Sequence, residues 1–388
     1  MRDPICGMEV KSESPFFLKS GETTFYFCSS RCRTKFADRL NQLPSSSEDI
    51  CCLPSKPWQE SKVYGIILFL AAILVISFFV DWLVPFRETF LMYLRMVGWA
   101  IVLGLVLGGI IEHFVPRQYV SQALARPQPK TIFYAVIWGF FMSACCHGIL
   151  ALAIQLYKKG ASTSAVIAFL LASPWANLPL TLMLIGFFGI VKGLYIVLAA
   201  IVIALTTGII FQFLERKNWV EQNTNTVDYD VKFSIWTDMQ QRIKNYHFSK
   251  AQILKDVRGV FRGVVNLAEM ILWWICIGLM MASLAGAYVP QHIFHQYMSA
   301  SFSGLLVTLA VATVIEVCSE GTSPVAFEIF RQTGALGNSF VFLMGGVVTD
   351  YTEIGLIWQN IGWRSALWLP LVTVPQVICW GILANKIF

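Results

Sequence analysis

Residues 131–157 read TIFYAVIWGFFMSACCHGILALAIQLY, an uncharged run in which His147 sits between Cys145-Cys146 and Gly148. Its length suffices to cross a hydrocarbon core, which takes about 20 helical residues. Two thiols, an imidazole and a glycine in the middle of such a run are not what lipid-facing positions carry. Gly148 can also open the helix and expose backbone carbonyls, which a bilayer tolerates only where protein lines a cavity. The run reads as a membrane segment broken at a polar interior site.

Working outward, similar uncharged runs cover most of the chain: 63–80, 96–111, 160–191, 193–214, 270–291, 296–315, 333–349 and 365–385. The composition agrees, with 56% hydrophobic and 13% charged residues, against about 25% charged in a soluble domain. The expected fold is an all-α polytopic membrane protein of about eight transmembrane helices plus re-entrant or broken segments. The net charge of +6 does not signal nucleic acid, because the basic residues sit in loops, where cytoplasmic segments collect Lys and Arg. Residues 215–262 hold nine of them and form the expected cytoplasmic loop, and Arg117, Arg126 and Lys130 mark another. The first 62 residues carry nine basic and eight acidic side chains and no signal-peptide pattern. They are expected in the cytoplasm, with the apolar region, 63–388, in a cell inner membrane. The ten cysteines are then expected as thiols.

An internal repeat organises the membrane region. At an offset of 173 residues, Cys145 matches Cys318, Gly148 matches Gly321, Asn177 matches Asp350, Ser143 matches Glu316 and His147 matches Glu320. In both halves, approximately 91–214 and 264–388, the matched polar residues interrupt apolar runs. The loops at 116–130 and 215–262 both look cytoplasmic, yet three apolar runs lie between them. An even number of crossings is required, so the run holding Cys145 to Gly148 is expected to enter and leave on the same side. The halves then have opposite orientations, an inverted repeat of the kind that supports alternating access.

Cys145, Cys146, His147 and Cys318 are ligands for a soft or borderline metal, whereas Mg²⁺ or Ca²⁺ would be held mainly by oxygens. Glu316, Glu320, Asp350 and Glu353 lie in or beside apolar stretches. A carboxylate there costs at least ~2.5 kcal/mol and so faces a polar pathway; with Asn177 these acids are the expected proton-coupling set. Ser173-Pro174-Trp175-Ala176-Asn177-Leu178-Pro179 predicts another broken helix, since each proline removes a backbone donor. Ahead of the membrane region, residues 1–42 form a small unit with Cys6, Cys28 and Cys32, and a linker at 43–62 carries Cys51-Cys52. So short a unit needs a metal or cross-links to hold a fold, and three thiolates suit Cu(I), Zn(II) or As(III). The sequence shows no P-loop and no Asp-Lys-Thr-Gly phosphorylation motif, which argues against direct ATP drive. No nucleophile and base can be assigned, so an enzyme is not expected.

Cys6-Gly7-Met8, Tyr26-Phe27-Cys28-Ser29, Cys32 and Phe36 resemble the YHS (TRASH-like) metal-binding module. Cys145-Cys146-His147-Gly148, Lys159-Gly160-Ala161, Phe169-Leu170-Leu171-Ala172-Ser173-Pro174 and Asn177 resemble the DUF318 permease family, over roughly residues 65–388. That resemblance implies a permease for organoarsenicals, arsenite, copper or zinc. Family members often show a Cys-Ser-Cys-Gly-like motif where this chain has Cys145-Cys146-His147-Gly148, and the imidazole widens the ligand set toward Zn(II) and Cu. The expectation is a secondary transporter that exports a thiophilic metal or metalloid with proton coupling and requires no cofactor. Its partners would be the ion, protons, the lipid bilayer and a cytoplasmic metal donor; a homo-oligomer is compatible with the sequence. The alternative is a membrane-anchored metal sensor or storage protein without a transport cycle.

Overall fold

The computed structural model describes residues 17–20, 23–26, 57–114, 124, 130–141, 146–158, 160–223, 240, 244, 250–315 and 318–388. The chain divides into two units, Met1–Trp58 and Gln59–Phe388. In the first, Phe17–Ser20 (β1) and Thr23–Tyr26 (β2) pair antiparallel, with Phe17 opposite Tyr26 and Ser20 opposite Thr23. Threonines and aromatics in β2 suit a strand. Cys6, Cys28, Cys32, Cys51 and Cys52 lie outside the described residues.

The second unit is helical. Its first half contains Pro57–Ile76 (α1), Val84–Phe114 (α2), Thr131–Phe141 (α3), Cys146–Lys158 (α4), Thr163–Ala176 (α5), Leu178–Phe188 (α6) and Ile190–Arg216 (α7). Lys250–Tyr288 (α8), Gln291–Tyr297 (α9), Phe302–Ile315 (α10), Ser319–Thr333 (α11), Leu336–Thr349 (α12), Tyr351–Asn360 (α13) and Trp363–Ile387 (α14) follow. Five helices are long and apolar enough to cross a membrane, and up to seven if each of two bent pairs counts as one span. The sequence leads to about eight because it counts runs such as Val63–Ile76 and Thr131–Phe140, which form shorter apolar helices among the described residues. Two further differences arise because charge-free runs understate helix length. Residues 250–262, read as loop, belong to α8, and Glu269 lies well inside that helix, not near its end. His292 and His295, between the runs 270–291 and 296–315, lie on α9.

Helix starts repeat at the interval found in the sequence. Cys146 and Ser319, Thr163 and Leu336, Leu178 and Tyr351, and Ile190 and Trp363 each stand 173 residues apart and open α4 and α11, α5 and α12, α6 and α13, α7 and α14. Gly189 and Gly362, the matched residues ahead of α7 and α14, both adopt positive φ, 79° and 151°, which strains any residue with a Cβ. The packing recurs as well. α3 and α4 lie on α5 as α10 and α11 lie on α12, and α5 packs on α7 as α12 does on α14.

In each half the first two of these helices flank the third in opposite directions. The end of α3 meets the end of α5, where Ser173 Oγ donates to the Gly139 carbonyl at 3.0 Å, whereas α4 turns into α5 at Gly160. So α3 runs with α5 and α4 runs against it. In the second half Asn338 Nδ2, near the start of α12, donates to the Ser299 carbonyl just ahead of α10 at 3.1 Å, and the Thr313 and Thr349 hydroxyls pair at 2.7 Å near the ends of α10 and α12. α10 therefore runs with α12, and α11 reverses into it at Gly334.

The segment after α7 ties the halves together. Glu221 accepts from the Arg364 and Ser365 N–H groups at 3.0 and 2.9 Å and from Ser365 Oγ at 2.7 Å, capping α14 from another part of the chain. Burial pushes its carboxyl up, but the Ser365 hydroxyl and the two N–H groups outweigh that and hold it below the usual glutamate value. A depressed carboxylate stabilises the fold above its unfolded pKa and loses that contribution as pH falls through the folded one. Glu221→Ala is expected to cost the ~1 kcal/mol of stability typical of a lost cap, read as a lower unfolding temperature of detergent-solubilised protein at pH 7. The gap between variant and wild type should close as the pH drops below about 4; a gap that persists there would show that the cap does not work through its charge.

Candidate functional site

A break inside a membrane helix leaves backbone donors and acceptors without partners, and side chains must replace them. Between α5 and α6 the chain straightens at Asn177 (φ −66°, ψ 155°), whose Oδ1 accepts from the Leu180 N–H at 2.8 Å. Pro179 sits in the first turn of α6, where its missing N–H costs nothing. Asp350 stands in the same position between α12 and α13. Its carboxylate accepts from the Thr352 N–H at 2.8 Å and from Thr352 Oγ1 at 2.7 Å. Asn and Asp suit these positions because a short side chain can fold back onto the first helical turn.

Cys318, with extended backbone (φ −177°, ψ 141°), caps the start of α11. Two residues on, Glu320 is 1% exposed. Three donors converge on its carboxylate: Asn177 Nδ2 on Oε1 at 3.1 Å, and Cys318 Sγ and Ser319 Oγ on Oε2 at 2.7 and 3.1 Å. The first turn of a helix favours negative charge, and a buried carboxylate is tolerable when its lone pairs are filled. The Asn177–Glu320 bond joins the two halves. Behind it α8 lies flush on α11, since a Cβ on Gly278 would collide with the Gly321 carbonyl oxygen. Thr322 and Ser323 hydroxyls return to carbonyls of the same turn, Thr322 to Cys318 and Ser323 to Ser319.

Of the residues expected to share a site, the structure brings Asn177, Cys318 and Glu320 together. Asp350 and Glu353 are buried at the other break, as N-cap and first turn of α13. Cys146 and His147 open α4, with their side chains outside the described residues, as are Cys145 and Glu316 altogether. Among the described residues no group of three or more His, Cys, Asp or Glu is placed to hold a metal ion. Ser319 was not singled out from the sequence. The signal was there, because the 173-residue offset matches it to Cys146. Glu328 also escaped notice; it is fully buried and held by Arg331 at 2.8 and 2.9 Å.

A family profile, ArsP_1, described as "Predicted permease", matches residues 83–386. The UPF0718 protein YcgR of Bacillus subtilis is 23% identical over 259 residues, 66% of this chain and 81% of that protein. A putative two-component membrane permease complex subunit of Streptococcus mutans is 20% identical over 262 residues, 66% of this chain and 79% of its own length. No solved structure matches. With most of its length matched by that profile and five to seven of its helices or helix pairs long and apolar enough to cross a membrane, the chain belongs to the ArsP_1 family of permeases, multi-pass membrane proteins.

Proposed function

We propose that the chain exports a thiophilic metal or metalloid in exchange for protons, through a midplane site built on Cys318, Glu320 and Asn177. The observation that carries this reading is the 2.7 Å contact of Cys318 Sγ with Glu320 Oε2. A soft ion such as Cu(I), Zn(II) or As(III) binds the thiolate and not the thiol. As the S–metal bond forms, the thiol proton leaves, and the neighbouring carboxylate is there to take it. Glu320 gives that proton up to the side from which the ion came; a proton then taken up through Glu320 from the opposite side returns to the sulfur and releases the ion, so one proton enters for each S–metal bond broken. Cys145, Cys146 and His147 supply further ligands from the start of α4. The offset that matches Asn177 to Asp350 also matches Glu320 to His147. Asp350 with His147 is therefore the repeat counterpart of Asn177 with Glu320, donor and acceptor exchanged, and Glu316 and Glu353 extend the carboxylate path.

The basic content of 215–262 orients this side to the cytoplasm and the inverted repeat to alternating access. The YHS-like module, 1–42, then captures cytosolic ion, with Cys51-Cys52 as a relay. An anionic cargo is a second reading, because the N-termini of α6 and α11 meet at the Asn177–Glu320 bond and helix N-termini attract anions. Glu320 already occupies that positive field, which favours a cation.

Uptake into everted membrane vesicles of As(III), methylated As(III), Cu(I) and Zn(II) tests cargo and direction together. At least one ion should accumulate, and a Cys146→Ser, Cys318→Ser double variant should lose about 10- to 100-fold of the rate. Full uptake by that variant would remove the thiols from the pathway, and binding without uptake would favour a sensor or store. Glu320→Gln is expected to slow turnover and flatten its pH dependence while binding persists; an unchanged pH profile would contradict the proton's route. Removal of residues 1–42 should weaken uptake without abolishing it, and complete loss in a well-inserted truncation would make the module obligatory.

A further inference from the structure

The two halves repeat in order and in the packing of their later helices, but not in where α2 and α8 lie. α2 and α8 pack together, α2 also lies on α6, and α8 lies on α11. Exchanging the halves would place α8 on α13 and α2 on α4, yet among the described residues neither pair forms a packed interface. Burial follows the same division. α6 has no exposed residue, whereas its counterpart α13 exposes Tyr351, Leu356, Trp358 and Gln359.

The contacts that do form run from the helix breaks toward one side only. Tyr93 stands edge-on to Phe187 and Phe327, centroids 6.2 and 5.9 Å apart, and those two rings stack at 5.0 Å. A Cβ on Gly104 would lie 2.9 Å from Pro179 Cα, and Gly286 abuts the Glu328–Arg331 pair. Toward the other side α2 and α8 meet each other, through Gly109 on Val264 and His113 on Asp256 at 3.1 Å. On that side Asn266 of α8 is exposed and Glu269 is half-buried within the span. A carboxylate at such depth marks a water-facing surface.

Resting on the transporter reading, we infer that α2 and α8 are one moving gate, sealed here by Tyr93, Phe187 and Phe327 and open on the face of α4 and α13. In the opposite state α8 closes on α13 and α2 on α4. The offset assigns the counterparts: Asn266 for Tyr93, Asn360 for Phe187, Ile154 for Phe327, and Gln359 with Met270 for Gly186 with Val97. The two seals are unequal. Each aromatic ring buries about 150–250 Å² and gains from edge and stacked geometry, whereas asparagines must give up water to close. The unloaded chain therefore rests open on the α4/α13 side, the cytoplasmic side by loop charge.

A photoreactive p-benzoylphenylalanine at Gln359, in the full chain in native membranes without added ion, tests this after irradiation and peptide mapping. Capture of α8 near Met270 and Trp273 should be slight in the wild-type background. Tyr93→Ala and the milder Phe327→Leu should each raise it about tenfold. A second probe at Gln155 should likewise capture α2 near His113. No rise in either variant with either probe, or capture only of lipid or of a second copy of the chain, would overturn the gate. Because the capture needs no cargo, a chain that captures but moves no ion keeps the gate and loses the export reading, and one that exports but never captures does the reverse.

Discussion

A helix can break inside hydrocarbon only where protein supplies the hydrogen bonds it gives up, and Asn177 meets that requirement in two directions. Its carbonyl oxygen caps α6 through the Leu180 N–H, while its amide donates to Glu320 in the other half. Glu320 in turn accepts from Cys318 and Ser319, the residues that begin α11. One carboxamide thus completes a helix end and helps satisfy a buried carboxylate. The polar site sits where the halves meet because that is where both sets of unpaired groups can be satisfied at once.

This arrangement also limits the chemistry. The thiol and carboxylate share a contact from which either a proton or a soft ion can be held, but holding the ion at sulfur displaces the proton. The surrounding hydroxyls of Thr322 and Ser323 are turned back to their own helix and offer little to a hard cation. A carrier needs a site that binds and releases, and on the proposed reading competition between proton and ion at one sulfur would provide both. Movement of α2 and α8 against the other helices would decide which side the site serves.

Much of this was legible from residue order. The matched interruptions at Cys145 and Cys318 and at Asn177 and Asp350 gave the repeat its offset, and helix starts then fell on it, because apolar runs and their polar breaks are one-dimensional signals. The break at Asn177 followed from Pro174 and Pro179. What stayed hidden depends on distant partners. Nothing local to Glu221 says that it caps α14, and nothing near Tyr93 says that its ring meets Phe187 and Phe327. Nothing near Gly104 in the sequence says that Pro179 lies against it. α8 was cut short because its first turns carry Lys250, Lys255, Arg258 and Arg262, charges that a hydropathy reading assigns to a loop. Ser319 was overlooked because a hydroxyl in an apolar run is ordinarily a helix-bonded packing residue.

The central claim is that a buried thiolate beside Glu320 is the ligand of the transported ion. Arsenic X-ray absorption on protein lacking residues 1–56 and loaded with As(III) tests it most directly. The account predicts a first coordination shell that contains sulfur and loses part of it in Cys318→Ser; a shell of oxygen alone, or one that this substitution leaves unchanged, would contradict it.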